Sequence, residues 1–343
     1  MMYYFHEMQK SMFAPAVMLA DTTKDLFTHP LSPFAHTPFA RNVAANNEVF
    51  VRLMRRYDKP EFEIHEVQAE GRTVAVTEEK VIEKPFCTLL HFQRDVSKAA
   101  PKLLIVAPLS GHFATLLRDT VRTAMQDFDV YVTDWTDAKM VPLSEGPFHL
   151  EDYVQYLIEF LQFLGEGTHT LAVCQPTVPV LAATALMADA QDPCTPRTMV
   201  LMGGPVDARK SPTSVNAFAQ GKAHSWFVNR VIMRVPPNYP GFMRKVYPGF
   251  LQHASFLAMN PDRHSQAHQD FYQHLVRGDG ESAEAHRKFY DEYNAVLDMA
   301  AEYYLDTIKM VFHEYQLPMG TMTMLGRSVK PAAISKTRLF TIE

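Results

Sequence analysis

Apolar and polar positions change rhythm several times along this chain, and each change marks an element. Over "FARNVAANNEVFVRLMRRY" the residues Phe39, Val43, Phe50, Leu53, Met54 and Tyr57 recur at roughly helical spacing, so residues 1–57 are expected to be helical. From Pro60 the period shortens. "EFEIHEVQ" alternates as a half-buried strand does, and "TVAVTEEKVIEKPFCTLLHFQR" continues as strand material. A regular series follows. "KLLIVAPLSG" (102–111) is a short apolar run closed by Pro, Ser and Gly, the pattern of a buried parallel strand. "HFATLLRDTVRTAMQDF" puts Phe113, Leu116, Leu117, Val121, Ala124 and Met125 on one helix face. "DVYVTDW" (129–135) predicts a strand, "HLEDYVQYLIEFLQFLG" (149–165) a helix, and "THTLAV" a strand. "PVLAATALMADA" predicts a helix, and "RTMVLMGGPVD" (197–207) a strand with a glycine turn.

Such alternation predicts a mostly parallel sheet flanked by helices. Functional loops then belong at the carboxyl ends of the strands. After Asp207 the rhythm breaks. Residues 210–330 are aromatic and helical, with Pro236, Pro237, Pro240, Pro248 and Pro261 as punctuation, and they read as an inserted cap. "TRLFTIE" then returns as a strand, of a composition normally buried on both faces. The expected division is a helical segment over 1–57, an α/β core over 58–209, a helical cap over 210–330 and a return to the core over 331–343.

Composition narrows the function classes. With 343 residues, 47% of them hydrophobic, the chain can bury a sizeable core. A formal net charge of -5 and no stripe of Lys and Arg argue against nucleic acid as a partner. The cysteines Cys87, Cys174 and Cys194 are odd in number and widely spaced, which suits neither a disulfide framework nor a zinc site and fits a reducing cytoplasm. The N-terminus is Met-rich and apolar but has no basic n-region. Its longest apolar run, Met12 to Ala20, contains Pro15 and is too short to span a bilayer, so it reads as mature, non-secreted protein.

The chemistry gathers at "Ala172-Val173-Cys174-Gln175-Pro176", which fits the nucleophile elbow of the α/β-hydrolase fold. There a tight strand-to-helix turn holds the nucleophile in a strained conformation above the sheet. Small residues must flank it because strand and helix pass close together. Ala172 meets this, and Pro176, in place of the usual Gly, suits a first helical turn. The backbone N–H of Gln175 is expected to point at a substrate oxyanion. The helix end behind it is expected to lower the thiol pKa. The loop Leu109-Ser110-Gly111-His112, two strands earlier, is where this fold keeps a second oxyanion donor, with Leu109 and Ser110 as candidates. Both features have plainer readings: a lone Cys after an apolar strand as a small buried hydrophobe, and the loop as an ordinary strand-ending turn.

Longer motifs carry a resemblance. "MMYYFHEMQ", "LIVAPLSGHFATLLRDTV", "VYVTDWTDAKMVPLSEGPFHLEDYV", "LAVCQPTVPVLAA", "MGGPVDARKSPT" and "YPGFLQHASFLAMN" resemble the intracellular poly(3-hydroxybutyrate) (PHB) depolymerases, relatives of the polyhydroxyalkanoate synthases. The resemblance covers nearly the whole chain. It implies an α/β-hydrolase with a Cys-Asp-His triad that cleaves the ester bonds of a stored polyester. Cys174 would be the nucleophile, forming an acyl-thioester, with no metal and no cofactor. It also implies a cytoplasmic protein on storage granules, with a homodimer open.

The acid and base are the departure from this pattern. In the fold they follow the seventh and eighth strands, and "TRLFTIE" reads as the seventh. The triad Asp and His are therefore expected beyond Glu343, and the chain is expected to be an inactive fragment lacking the last strand and helix. Asp207 follows the sixth strand but reads as a turn residue. His112 would come from the wrong strand to act as base. His264 and His268 are four apart, yet Ser265 stands where a metalloprotease carries Glu, and they read as solvated polar residues. Two other functions stay open: a synthase-like acyltransferase, which shares the elbow Cys, and a catalytically incomplete granule-binding paralogue.

Overall fold

A computed structural model describes residues 2–32, 35, 37–96, 98–210 and 212–342 of the chain. Met1, Ser211 and Glu343, which belong to motifs quoted above, lie outside the described residues. The chain divides into two compact units.

The first unit combines the chain up to Pro60 with Phe250–Val296. Helices α1 (Met2–Thr28) and α2 (Pro38–Met54) pack together, and the helices Pro261–Arg277 and Gly280–Asn294 join them. The start of α2 is written locally: Thr37 Oγ1 accepts from the N–H of Ala40 at 3.1 Å, and Pro38 fills the first turn. Arg52, buried in α2, donates to Asp291 Oδ1 at 2.8 Å and to the Arg287 carbonyl at 3.0 Å. Arg287 in turn donates to Glu48 at 2.7 Å, so two guanidinium groups fasten α2 to the last helix of the unit.

The second unit holds Glu61–Gly249 and the chain from Leu297 onward. Its strands are β1 (Glu66–Ala69), β2 (Arg72–Lys84), β3 (Cys87–Arg94), β4 (Lys102–Val106), β5 (Asp129–Trp135), β6 (His169–Val173), β7 (Thr198–Met202) and a last strand, Arg338–Ile342. They form one eight-stranded sheet in the order β1-β2-β3-β5-β4-β6-β7-last. Pairing is antiparallel from β1 through β2 and β3 to β5, and parallel from β5 through β4, β6 and β7 to the last strand. Leu104, Ile105 and Val106 of β4 are fully buried, which is why that run carries no alternation. Helix α3 is Arg118–Ala124, α4 is Leu150–Leu164 and α5 is Thr177–Asp189. α4 turns Leu150, Val154, Leu157, Leu161 and Leu164 inward, as its spacing predicts.

Several expectations need correcting. The alternation at 61–65 is not strand: Glu63 takes a φ of 51°, and pairing starts at Glu66, although Phe62 and Ile64 are buried. The helix expected over 112–128 is a tight turn at Ala114–Leu117 followed by the short α3. The expected cap, 210–330, is shared between the two units, and it holds strand as well as helix. Met233–Arg234, Lys245–Tyr247 and Met299–Ala300 pair into a small antiparallel sheet. The last strand is not buried. It lies at the sheet edge with Leu339 56% and Phe340 61% exposed. Among the described residues, no helix is long and apolar enough to cross a membrane.

Candidate active site

The turn between β6 and α5 consists of Cys174, Gln175 and Pro176. Cys174 has a φ of 68°, a left-handed conformation that costs an L-residue roughly 1–2 kcal/mol. The surroundings impose it. The N–H of Cys174 donates to the Met202 carbonyl on β7 at 2.7 Å, and the Cys174 carbonyl accepts from the N–H of Thr177 at 3.2 Å. Ala172 is fully buried, and Pro176, at φ -65°, leads into the helix, its carbonyl accepting from the Val180 N–H at 2.9 Å. From the other side, Gly204 comes so close that no side chain could stand there. A strained non-glycine residue is thus held tightly at a strand-to-helix bend, the backbone geometry expected for this turn.

The Cys174 side chain is exposed, and the backbone N–H of Gln175 lies next to its sulfur. The thiol pKa does not fall as the helix end suggested. Although the residue reaches the surface, the protein around it withholds enough water to push the thiol above its ordinary value, and the Gln175 N–H offsets only part of this.

Residues after β4 leave the sheet beside this turn, because β4 and β6 are parallel neighbours with Val106 opposite Ala172. The loop is anchored at both ends. The N–H of Ala107 donates to Thr133 Oγ1 at 3.0 Å, and its carbonyl accepts from Trp135 Nε1 at 2.8 Å and from the Tyr153 hydroxyl at 3.3 Å. At the far end Gly111, with a φ of 110°, accepts from the Leu297 N–H at 2.7 Å. Leu109 is buried and Ser110 half-buried between these anchors, with His112 half-buried just after.

Other candidates lie elsewhere. Asp207 forms a bidentate pair with Arg209, at 2.7 and 2.8 Å, which draws its carboxyl down to about 2 and keeps it ionised, as suits a turn residue. His264 and His268 are half-exposed and also meet tyrosines. His264 Nδ1 lies 2.9 Å from the Tyr290 hydroxyl and Nε2 3.2 Å from that of Tyr293, while the His268 ring packs on Tyr290 at 4.6 Å. Among the described residues, no group of three or more His, Cys, Asp or Glu is placed to hold a metal ion. The structure adds one residue that sequence reasoning missed. Tyr303, on the short helix Ala301–Thr307, is fully buried, with its hydroxyl beside the Gln175 side chain. Nothing in its local sequence marks it, since its proximity depends on how a distant helix crosses the elbow.

A mixed, mostly parallel sheet whose sixth strand ends in a strained cysteine turn defines an α/β-hydrolase fold. Residues 203–343 match the family model described as PHB de-polymerase C-terminus. Among solved structures the chain is similar to a hydrolase from Pseudomonas aeruginosa PA01, with 14% identity and a TM-score of 0.38 over 78% of this chain and 89% of that one. A Pyrobaculum calidifontis esterase shares 12% identity, with a TM-score of 0.30 over 43% of this chain and 50% of that one. Naproxen esterase from Bacillus subtilis shares 12%, with a TM-score of 0.30 over 57% and 62%. The chain thus spans half the length of the Pyrobaculum esterase. These likenesses are too remote to transfer an activity, and the fold rests on the strand order and the turn. No curated protein sequence matches the chain.

Proposed function

We propose that this chain carries the nucleophile of an ester hydrolase acting on stored poly(3-hydroxybutyrate) or a related short-chain polyhydroxyalkanoate. The observation that carries this reading is the exposed Cys174 thiol, held at φ 68° with the Gln175 N–H beside it. In the proposed cycle the thiolate attacks an ester carbonyl, whose oxygen takes up negative charge near the Gln175 N–H. The alcohol leaves with a proton, and a thioester remains. Water then cleaves the thioester, releasing the hydroxy acid and restoring the thiol. A base must take the thiol proton first, because a thiol pushed above its ordinary value is neutral at pH 7. In the resembled family a His oriented by an Asp does this. Leu109 and Ser110 remain the candidates for a second oxyanion donor.

The insoluble substrate suits a further feature of the first unit. Helix α1 exposes Met2, Tyr4, Phe5, Met8, Met12, Phe13, Met18 and Leu19, with Met12 72%, Met18 74% and Leu19 70% exposed. This apolar surface supports docking on a polymer granule in the cytoplasm.

The test is release of 3-hydroxybutyrate from amorphous granules by the full gene product, with and without coenzyme A. Release that needs no coenzyme A and vanishes in Cys174→Ala is the expected result. Polymer growth from a coenzyme A thioester would favour the acyltransferase. Granule binding with no ester cleavage would leave only the binding paralogue.

A further inference from the structure

Tyr303 is 1% exposed, and its hydroxyl lacks a hydrogen bond of good geometry, as does the facing Gln175 Oε1. Two buried polar atoms left in this state cost about 1–3 kcal/mol each, so their placement asks for a reason. The Tyr303 ring supplies a second observation. It stacks on Tyr153, with centroids 5.5 Å apart and planes 15° apart, and Tyr153 stacks on Trp135 at 4.0 Å and 24°. Tyr153 and Trp135 both donate to the Ala107 carbonyl at the start of the β4 loop. One aromatic stack therefore runs from the elbow to the neighbouring loop, the two backbone segments from which oxyanion donors are expected.

We infer that Tyr303 is a positioning residue whose hydroxyl steadies the Gln175 side chain, and through it aims the Gln175 N–H at the Cys174 sulfur and at the oxyanion that replaces it in the reaction. This rests on the reading of that N–H as the elbow donor. Tyr303→Phe keeps the ring and its stack and removes only the hydroxyl. Gln175 is then freer, the N–H spends less time on the sulfur, and the thiolate loses part of its stabilisation.

The experiment is alkylation of the purified chain by iodoacetamide between pH 7 and 10, read at each cysteine by mass spectrometry. Half-buried Cys194 serves as the internal standard. Tyr303→Phe is expected to slow alkylation at Cys174 by about threefold to tenfold, as the loss of a polar contact worth about 1 kcal/mol implies. It should also move the pH profile upward while Cys194 is unchanged. Gln175→Ala, which keeps the backbone N–H and removes the partner of the hydroxyl, should have the same effect, and the double variant should add nothing further. A Cys174 profile unchanged in either single variant, or additive effects in the double, would overturn the inference. Ester hydrolysis that survives Cys174→Ala would remove the nucleophile reading instead, and leaves the alkylation result standing by itself.

Discussion

Gly204 lies against Thr177 so closely that a methyl group on it would fall 1.8 Å from Thr177 Oγ1 and 2.5 Å from the Cys174 carbonyl oxygen. The end of β7 and the start of α5 meet here with no room for a side chain. Gly204→Ala must therefore move the elbow backbone, at a cost of about 1–3 kcal/mol or more. Gly203→Ala is the comparison. It has φ 56° but open space around it, so only backbone strain of roughly 1–2 kcal/mol is expected. Thermal unfolding of both variants, with alkylation of Cys174, should show the elbow disturbed by Gly204→Ala and intact in Gly203→Ala.

Strain at Cys174 can be measured directly. At φ 68° glycine is at ease and a β-branched residue is not. Because the side chain is exposed, little packing is lost on replacing it. Cys174→Gly is expected to match or exceed the parent in stability, and Cys174→Val to fall below Cys174→Gly by about 1–2 kcal/mol. Equal urea midpoints for the two variants would show that the turn relaxes when the cysteine is replaced.

The strand-to-helix turn was legible in the sequence because its requirements are local: a buried Ala172, a bend at Cys174 and a Pro176 able to open a helix. The β4 loop was legible for the same reason, as a parallel strand closed by Pro108, Ser110 and Gly111. Tyr303 was not, since only tertiary packing brings it to Gln175. The tyrosine partners of His264 and His268 were not legible, because an i, i+4 spacing fixes which residues share a helix face but not what that face meets, here Tyr290 and Tyr293. The thiol pKa was misjudged because a helix end can be seen in the sequence and the walls that exclude water cannot. The last strand was read as buried from its composition, but only its neighbours decide that, and it has one neighbour, β7.

Arg244 is a second place where one side chain carries a loop. It is 2% exposed, donates through Nε to the Val141 carbonyl at 2.9 Å and through Nη1 to that of Gly146 at 2.7 Å, and also reaches the Pro142 carbonyl. Its guanidinium lies over the Phe86 ring, 5.0 Å from the centroid. Arg244→Met fills similar space but takes the guanidinium donor from the Val141 and Gly146 carbonyls, while the Pro142 carbonyl keeps the Glu145 N–H at 3.1 Å; a carbonyl left unpaired away from water is worth about 1–3 kcal/mol. Arg244→Lys should recover only part of this, because one ammonium cannot reproduce the planar fork. Urea midpoints in the order parent, Lys, Met are expected, and a Met variant as stable as the parent would show that water reaches these carbonyls freely.

In the first unit His286 should make the fold sensitive to acid. Its ring stacks on Phe271 at 4.1 Å and 8°, and neither nitrogen has a hydrogen bond. Burial first, then His268, Arg52, Arg287 and His274 around it, draw its pKa from 6.5 down to about 4. The sign follows from proton binding. Between pH 6.5 and 4 the unfolded chain holds more protons on this residue than the folded chain does, so stability rises with pH across that window and is lost as pH falls through it. His268, His264 and His253 have pKa values lowered in the same direction and add to the effect. His286→Phe keeps a ring on Phe271 and removes the titration. Its melting temperature should therefore fall less than that of the parent between pH 7 and pH 4.5. If the two proteins lose stability in parallel over that range, the acid sensitivity lies in other groups.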